Sequence, residues 1–86
     1  MDDNVCLAEF EKLARQLGVE IRYTAGGPSG LCTLKGERVL FLDKTLDRRD
    51  KIDVFVREFK TLDLEGFFVV PLIRRLLGLD NESAEW

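Results

Sequence analysis

The sequence predicts an α+β fold: an N-terminal helix, a three-stranded and largely antiparallel sheet, and two C-terminal helices packed on the sheet. Three observations carry that expectation. Cys6, Phe10, Leu13 and Leu17 recur at steps of four, three and four, the spacing of one helix face. Val19-Glu20-Ile21-Arg22-Tyr23 alternates strictly between apolar and polar, as a half-buried strand does. Two further apolar runs meet around Gly36-Glu37, and the chain beyond them returns to helical spacing.

In chain order, Asp3 or Asn4 is suited to cap the first helix, with Glu9 and Glu11 near its start. Gly18 suits the left-handed position that ends such a helix, and Val19 supplies the hydrophobic contact of the cap. The low-complexity stretch Ala25-Gly26-Gly27-Pro28-Ser29-Gly30 invites a phosphate-loop reading. Phosphate loops run into a helix, whose N-terminus holds the anion. Here Gly30 runs into Leu31-Cys32-Thr33-Leu34, which has strand character, so a plain connection is expected.

Residues 31–35 and 38–43 read as a hairpin turning at Gly36-Glu37, glycine first as a type II′ turn prefers. That turn sets Leu34 opposite Val39 and Cys32 opposite Phe41, with Leu31, Thr33, Leu40 and Leu42 on the other face. Both faces are apolar. Helices on one side and a loop, partner or second protomer on the other would account for this. Asp47 is the expected N-cap of the second helix, with Asp50 at N3, and Ile52, Phe55, Val56, Phe59 and Leu62 form its buried stripe. Pro71 suits the first turn of a third helix and Gly78 its end. Residues 80–86 form an acidic tail closing on Trp86, loose or docked. Neither repeat nor boundary interrupts residues 1–86, which read as one domain.

The chain has 86 residues, 45% hydrophobic and 34% charged, a globular balance. Folding a chain of this mass buries about 64% of its open surface, enough for one modest core. Net charge is −3, which disfavours nucleic acid as a partner because phosphate binding needs a clustered positive field. The lack of histidine removes His-ligated zinc and His general bases together. Cys6 and Cys32 are too few for a disulfide framework and read as two buried, slow-reacting thiols of a reducing compartment. The acidic start and the lack of a long apolar run point to a cytoplasmic chain without a membrane partner. No cofactor is expected.

The catalytic candidates that remain are carboxylates, lysines, Ser29, Tyr23 and the two thiols. Asp43, ending a strand, and Glu58, on the second helix, could share a cleft as an acid–base pair. Sixteen acidic residues also produce such pairs by chance on a solvated surface. A Cys32 nucleophile would need a base such as Lys35 or Lys44. Arg49, Arg57 and Lys60 share a helix flank, but Asp53 lies four residues from each arginine and cancels much of their field.

An apolar strand ending in a polar residue, a short turn and then a helix resembles the core of small zinc metallopeptidases of the repressor-cleaving kind. The family's helix carries Ala-His-Glu-x-x-His, and the matching window here is Val56-Arg57-Glu58-Phe59-Lys60-Thr61. Glu58 agrees with the general-base position, while Arg57 and Thr61 stand where the zinc ligands would be. Over residues 31–62 the resemblance implies a degenerate scaffold without zinc and without peptidase activity.

The function expected is therefore a non-catalytic protein-binding module, its partner an unidentified protein or a second copy. A small enzyme using carboxylates or a thiol is the alternative, and an accessory nucleic-acid contact a third reading. The partner surface is placed at Phe67 and Val70 with Val54, rimmed by Arg57, Arg74 and Arg75. If residues 65–77 form one helix, Val69, Leu72, Ile73 and Leu76 share a face, and Phe67 and Val70 lie well away from it. Val54 is likewise out of phase with Ile52, Phe55 and Phe59. The competing arrangement has Pro71 break the helix at Val70, letting Phe67 and Phe68 tuck under the sheet.

Overall fold

The computed structural model describes residues 2–79, and the acidic tail expected over residues 80–86 lies outside them. The elements follow in the order α1 (Asp3–Leu17), β1 (Val19–Thr24), β2 (Gly30–Leu34), β3 (Glu37–Asp43), α2 (Arg48–Phe59) and α3 (Pro71–Leu76). The α+β class stands. The sheet is mixed rather than largely antiparallel: its order is β1-β3-β2, with β1 parallel to β3 and β2 antiparallel to β3. The chain leaving β1 therefore crosses to the far edge before returning through the centre.

Asp2, not Asp3 or Asn4, caps α1, its carboxylate accepting from the Asn4 N–H at 2.9 Å. Gly18 closes the helix at φ 75°, and its N–H reaches back to the carbonyls of Ala14 and Arg15. Only glycine takes that left-handed position without strain. Asp47 caps α2 by accepting from the Asp50 N–H at 2.8 Å, as expected.

The hairpin turns one residue earlier than a Gly36-Glu37 turn would. Lys35 (φ 51°) and Gly36 (φ 82°) are both left-handed, which defines a type I′ turn. Leu34 consequently faces Glu37 and Cys32 faces Val39, a register two residues from the expected one. Because strand side chains alternate with period two, a two-residue shift leaves every residue on its expected face.

Leu40 and Leu42 of β3 and Val19 of β1 join Cys6, Phe10, Leu13 and Ala14 of α1 in one buried cluster with Ile52, Phe55 and Phe59 of α2. Three phenylalanines form its centre. Phe10 stacks on Phe55 with centroids 5.0 Å apart, and Phe59 meets both edge-on at 5.7 and 5.5 Å. These separations and angles are those aromatic quadrupoles favour. Val39, though buried, points to the opposite face, where no helix packs.

Val54 is also buried, at 6% exposure, and lies in the core cluster. It does not stand on an outer flank of α2. Val69, Ile73 and Leu77, supplied by the chain beyond α2, enter the same cluster, and α3 packs on α1 rather than on the sheet as expected. Pro71 begins α3, and Val70 before it is extended (φ −60°, ψ 151°), so no single helix runs over residues 65–77. Phe67 and Phe68 nevertheless do not tuck under the sheet; they are 42% and 75% exposed. No helix among the described residues is long and apolar enough to cross a membrane.

Candidate functional site

Two places gather the residues singled out from the sequence. The first is the junction of the glycine loop, the β2 edge and α2. Strand β3 delivers Asp43 to its end, where Oδ1 accepts from the Gly26 N–H (3.0 Å), the Thr45 N–H (2.9 Å) and the Thr45 hydroxyl (2.7 Å). The Asp43 N–H in turn donates to Ser29 Oγ at 3.0 Å. Thr45 chiefly, with the Gly26 amide and Lys51, holds the Asp43 carboxyl below its ordinary range.

Glu58 reaches the same loop from α2. Its Oε1 accepts from the Leu31 N–H at 2.9 Å, and Oε2 accepts from Arg57 Nε at 2.9 Å. The Leu31 amide first, then Arg57, lowers the Glu58 pKa against a smaller opposing effect of burial. Arg57 Nη2 also donates to the Ser29 carbonyl at 3.4 Å. The two carboxylates paired in the sequence reading do meet at one loop. Each faces backbone amides and is held ionised. An acid–base pair needs environments that push the two apart in pKa, and here both are pushed down.

At the metallopeptidase-like window, Thr61 Oγ1 donates to the Glu58 carbonyl at 2.6 Å and Arg57 pairs with Glu58. Neither side chain is a zinc donor. Among the described residues no three His, Cys, Asp or Glu side chains gather as a metal site requires.

Cys6 is buried, and desolvation, helped by Asp3, pushes its thiol up. Cys32 is exposed, contrary to the expectation that both thiols are shielded. The reason is that Cys32 lies on the edge strand β2, on the side of the sheet away from the helices, whereas its neighbour Val39 on the central strand is buried there. A groove of about 490 Å³ on that side is lined by Cys32, Phe41, Leu31 and the glycine loop, without a basic or acidic side chain to activate the thiol.

The second place is the segment before α3. Phe67 and Phe68 project from an irregular stretch between α2 and Pro71, and Val70 is half-buried against the core. A groove of about 230 Å³ beside them is lined by Phe68, Val69, Val70 and Ile73 and, from α1, by Leu13 and Lys12 among others. On α3, Arg75 is exposed and Arg74 half-buried. No residue of α2 lines this groove, so Val54 lies in the core and Arg57 at the β2 edge instead. Phe68, the most exposed large apolar side chain described, was not among the residues singled out from the sequence. Its signal was Pro71. Proline forces the preceding residue into an extended conformation, so helical phase cannot be carried back across it.

Set against known proteins, the chain matches no family model, no curated protein and no solved structure.

Proposed function

We propose that this chain is a non-catalytic protein-interaction module that binds its partner through the ledge formed by Phe67, Phe68 and Val70. The observation that carries the reading is the exposure of two adjacent phenylalanines, 42% and 75%, next to an apolar groove. Contiguous apolar surface of this kind is the usual mark of a docking site, whereas isolated exposed side chains are not. The rim of the groove on α1 is polar but balanced, Lys12 pairing with Glu9 at 3.2 Å beside Gln16, which is the polar surround usual for an apolar anchor.

The engagement of Glu58 and Asp43 by backbone amides supports this reading over the carboxylate enzyme. Arg57 and Thr61 at the ligand positions fit the degenerate metallopeptidase scaffold that the resemblance implies. Two free cysteines suit the reducing, cytoplasmic setting inferred from composition. The test is Phe68→Ser. Because the side chain is mostly in solvent, the melting temperature should stay within a degree or two of wild type. Capture of the partner from the source cell should disappear. Unchanged capture by a folded Phe68→Ser chain removes the ledge from consideration.

A further inference from the structure

The order β1-β3-β2 leaves the sheet with two edges, and they are finished differently. At the β2 edge Glu58 takes the Leu31 N–H, and Arg57 lies over the neighbouring loop. The β1 edge has no such cover. The Lys44 N–H donates to the Thr24 carbonyl at 2.8 Å, extending the parallel ladder, so Thr24 turns its backbone towards β3. Backbone groups alternate sides along a strand. Glu20 and Arg22 therefore also face β3, while Val19, Ile21 and Tyr23 direct N–H and C=O outwards. Among the described residues no side chain or loop bonds these outward groups. An open edge of this kind is a template for another strand, and natural sheets usually blunt it with proline, a bulge or an inward charge. β1, Val-Glu-Ile-Arg-Tyr-Thr, has none of these, and its two edge charges, Glu20 and Arg22, are opposite in sign and pair with each other at 2.7 Å, so they do not repel a second strand.

We infer that β1 pairs antiparallel with β1 of a second copy of this chain, Ile21 facing Ile21 of the second copy across a twofold axis. Charge complementarity selects the partner and the register. With Ile21 at the centre, Val19 faces Tyr23 of the second copy on the helix side of the sheet. On the other side Glu20 faces Arg22 of the second copy, and Arg22 faces its Glu20. Opposite charges directly across a ladder are favourable and like charges unfavourable. Sliding by two residues sets Glu20 against Glu20 in one direction and Arg22 against Arg22 in the other. Sliding by one sets outward backbone groups against inward ones and reverses the faces. Only the central register satisfies both backbone and side chains, and the twofold closes it as a dimer. A groove of about 370 Å³ beside this edge, lined by Ala14 and Arg15 of α1 with Val19, Ile21 and Tyr23, gives the second copy room to approach. This surface is separate from the Phe67–Val70 ledge, so either reading can fail without the other.

The test is sedimentation equilibrium of the full chain from micromolar to millimolar concentration, together with amide exchange. Wild type should dimerise, and exchange at Ile21 and Tyr23 should slow as concentration rises while Glu20 and Arg22 stay unchanged. Glu20→Arg and Arg22→Glu each place like charges across both symmetry-related pairs and should weaken the dimer by about tenfold. The double exchange should restore it. Both side chains are exposed, so the variants should fold, and circular dichroism checks this. A wild type that remains monomeric at millimolar concentration overturns the inference. So does an association that ignores both charge variants and disappears in Phe68→Ser.

Discussion

The surroundings of Glu58 give it a structural task. Leu31 and Arg57 engage its two oxygens, so the carboxylate ties α2 to the β2 edge. Removing one partner of such a bond leaves a donor unsatisfied, and Glu58→Ala should cost about 1 kcal/mol, the lower end for a charged acceptor because the site is partly solvated. Glu58→Gln keeps an oxygen for Leu31 and should cost less. The pH dependence distinguishes charge from shape. The folded-state pKa of Glu58 is lowered, so its charge stabilises the fold above the ordinary glutamate value and that contribution is lost as pH falls through the depressed one. The difference in urea midpoint between wild type and Glu58→Gln should therefore be constant near neutrality and close in acid. A pH-independent difference would mean that the carboxylate's charge has no structural part. Tyr23 shows the opposite case at the other edge. Burial and its hydrogen bond to Glu11 Oε2, 2.6 Å long, push the phenol up to about 12. Both residues were visible in the sequence, Glu58 as an acid on the second helix and Tyr23 as the end of an alternating strand, yet their partners lie 27 and 12 residues away and no local pattern names them.

Among the elements, the helices were the most legible because a stripe and a cap are local. Cys6, Phe10 and Leu13 bury as their spacing requires, and Asp47 caps where expected. Sheet order was not legible. Strict alternation in β1 and a turn residue at Gly36 are equally compatible with β1 beside β2 or beside β3, and only packing chooses. The turn itself was displaced by a residue because Lys35 adopts a left-handed conformation that its side chain disfavours. Two positive φ values in succession are what a type I′ turn needs to match the strand twist, and the native pair is Lys-Gly where Asn-Gly is preferred. Lys35→Asn should accordingly stabilise the hairpin by roughly 0.5–1 kcal/mol. For a chain of this size that is an increase of about 3–6 °C in melting temperature. Unchanged or lower thermal stability of Lys35→Asn would argue against the I′ geometry and restore a Gly36-Glu37 turn.

At the scale of the whole molecule, one side of the sheet carries nearly everything that holds the chain together. Helices α1 and α2 bury Phe10, Phe55 and Phe59 against Leu40 and Leu42, while Cys32 and Leu34 on the reverse side remain exposed. The sequence placed Phe10 on one helical stripe and Phe55 and Phe59 on another. That the two stripes meet ring to ring is a property of how α1 crosses α2, which no single stripe encodes. The arrangement makes stability depend on a few large side chains. Phe59 is fully buried and contacts both other rings edge-on. Its truncation removes the transfer energy of a phenyl group and leaves a cavity between two helices, a loss of about 3–5 kcal/mol. Native domains have only ~5–15 kcal/mol in total, and one this small sits near the bottom of that range. Phe59→Ala should therefore be largely unfolded at 37 °C, as read by near-ultraviolet circular dichroism, whereas Phe59→Leu should stay folded with a lowered melting temperature. The contrast with Phe68→Ser is the informative comparison. Two phenylalanines nine positions apart should differ by the whole width of the stability scale, because one is walled by rings and the other faces solvent. Cooperative unfolding of Phe59→Ala at the wild-type temperature would show that the ring cluster is not the centre of the core.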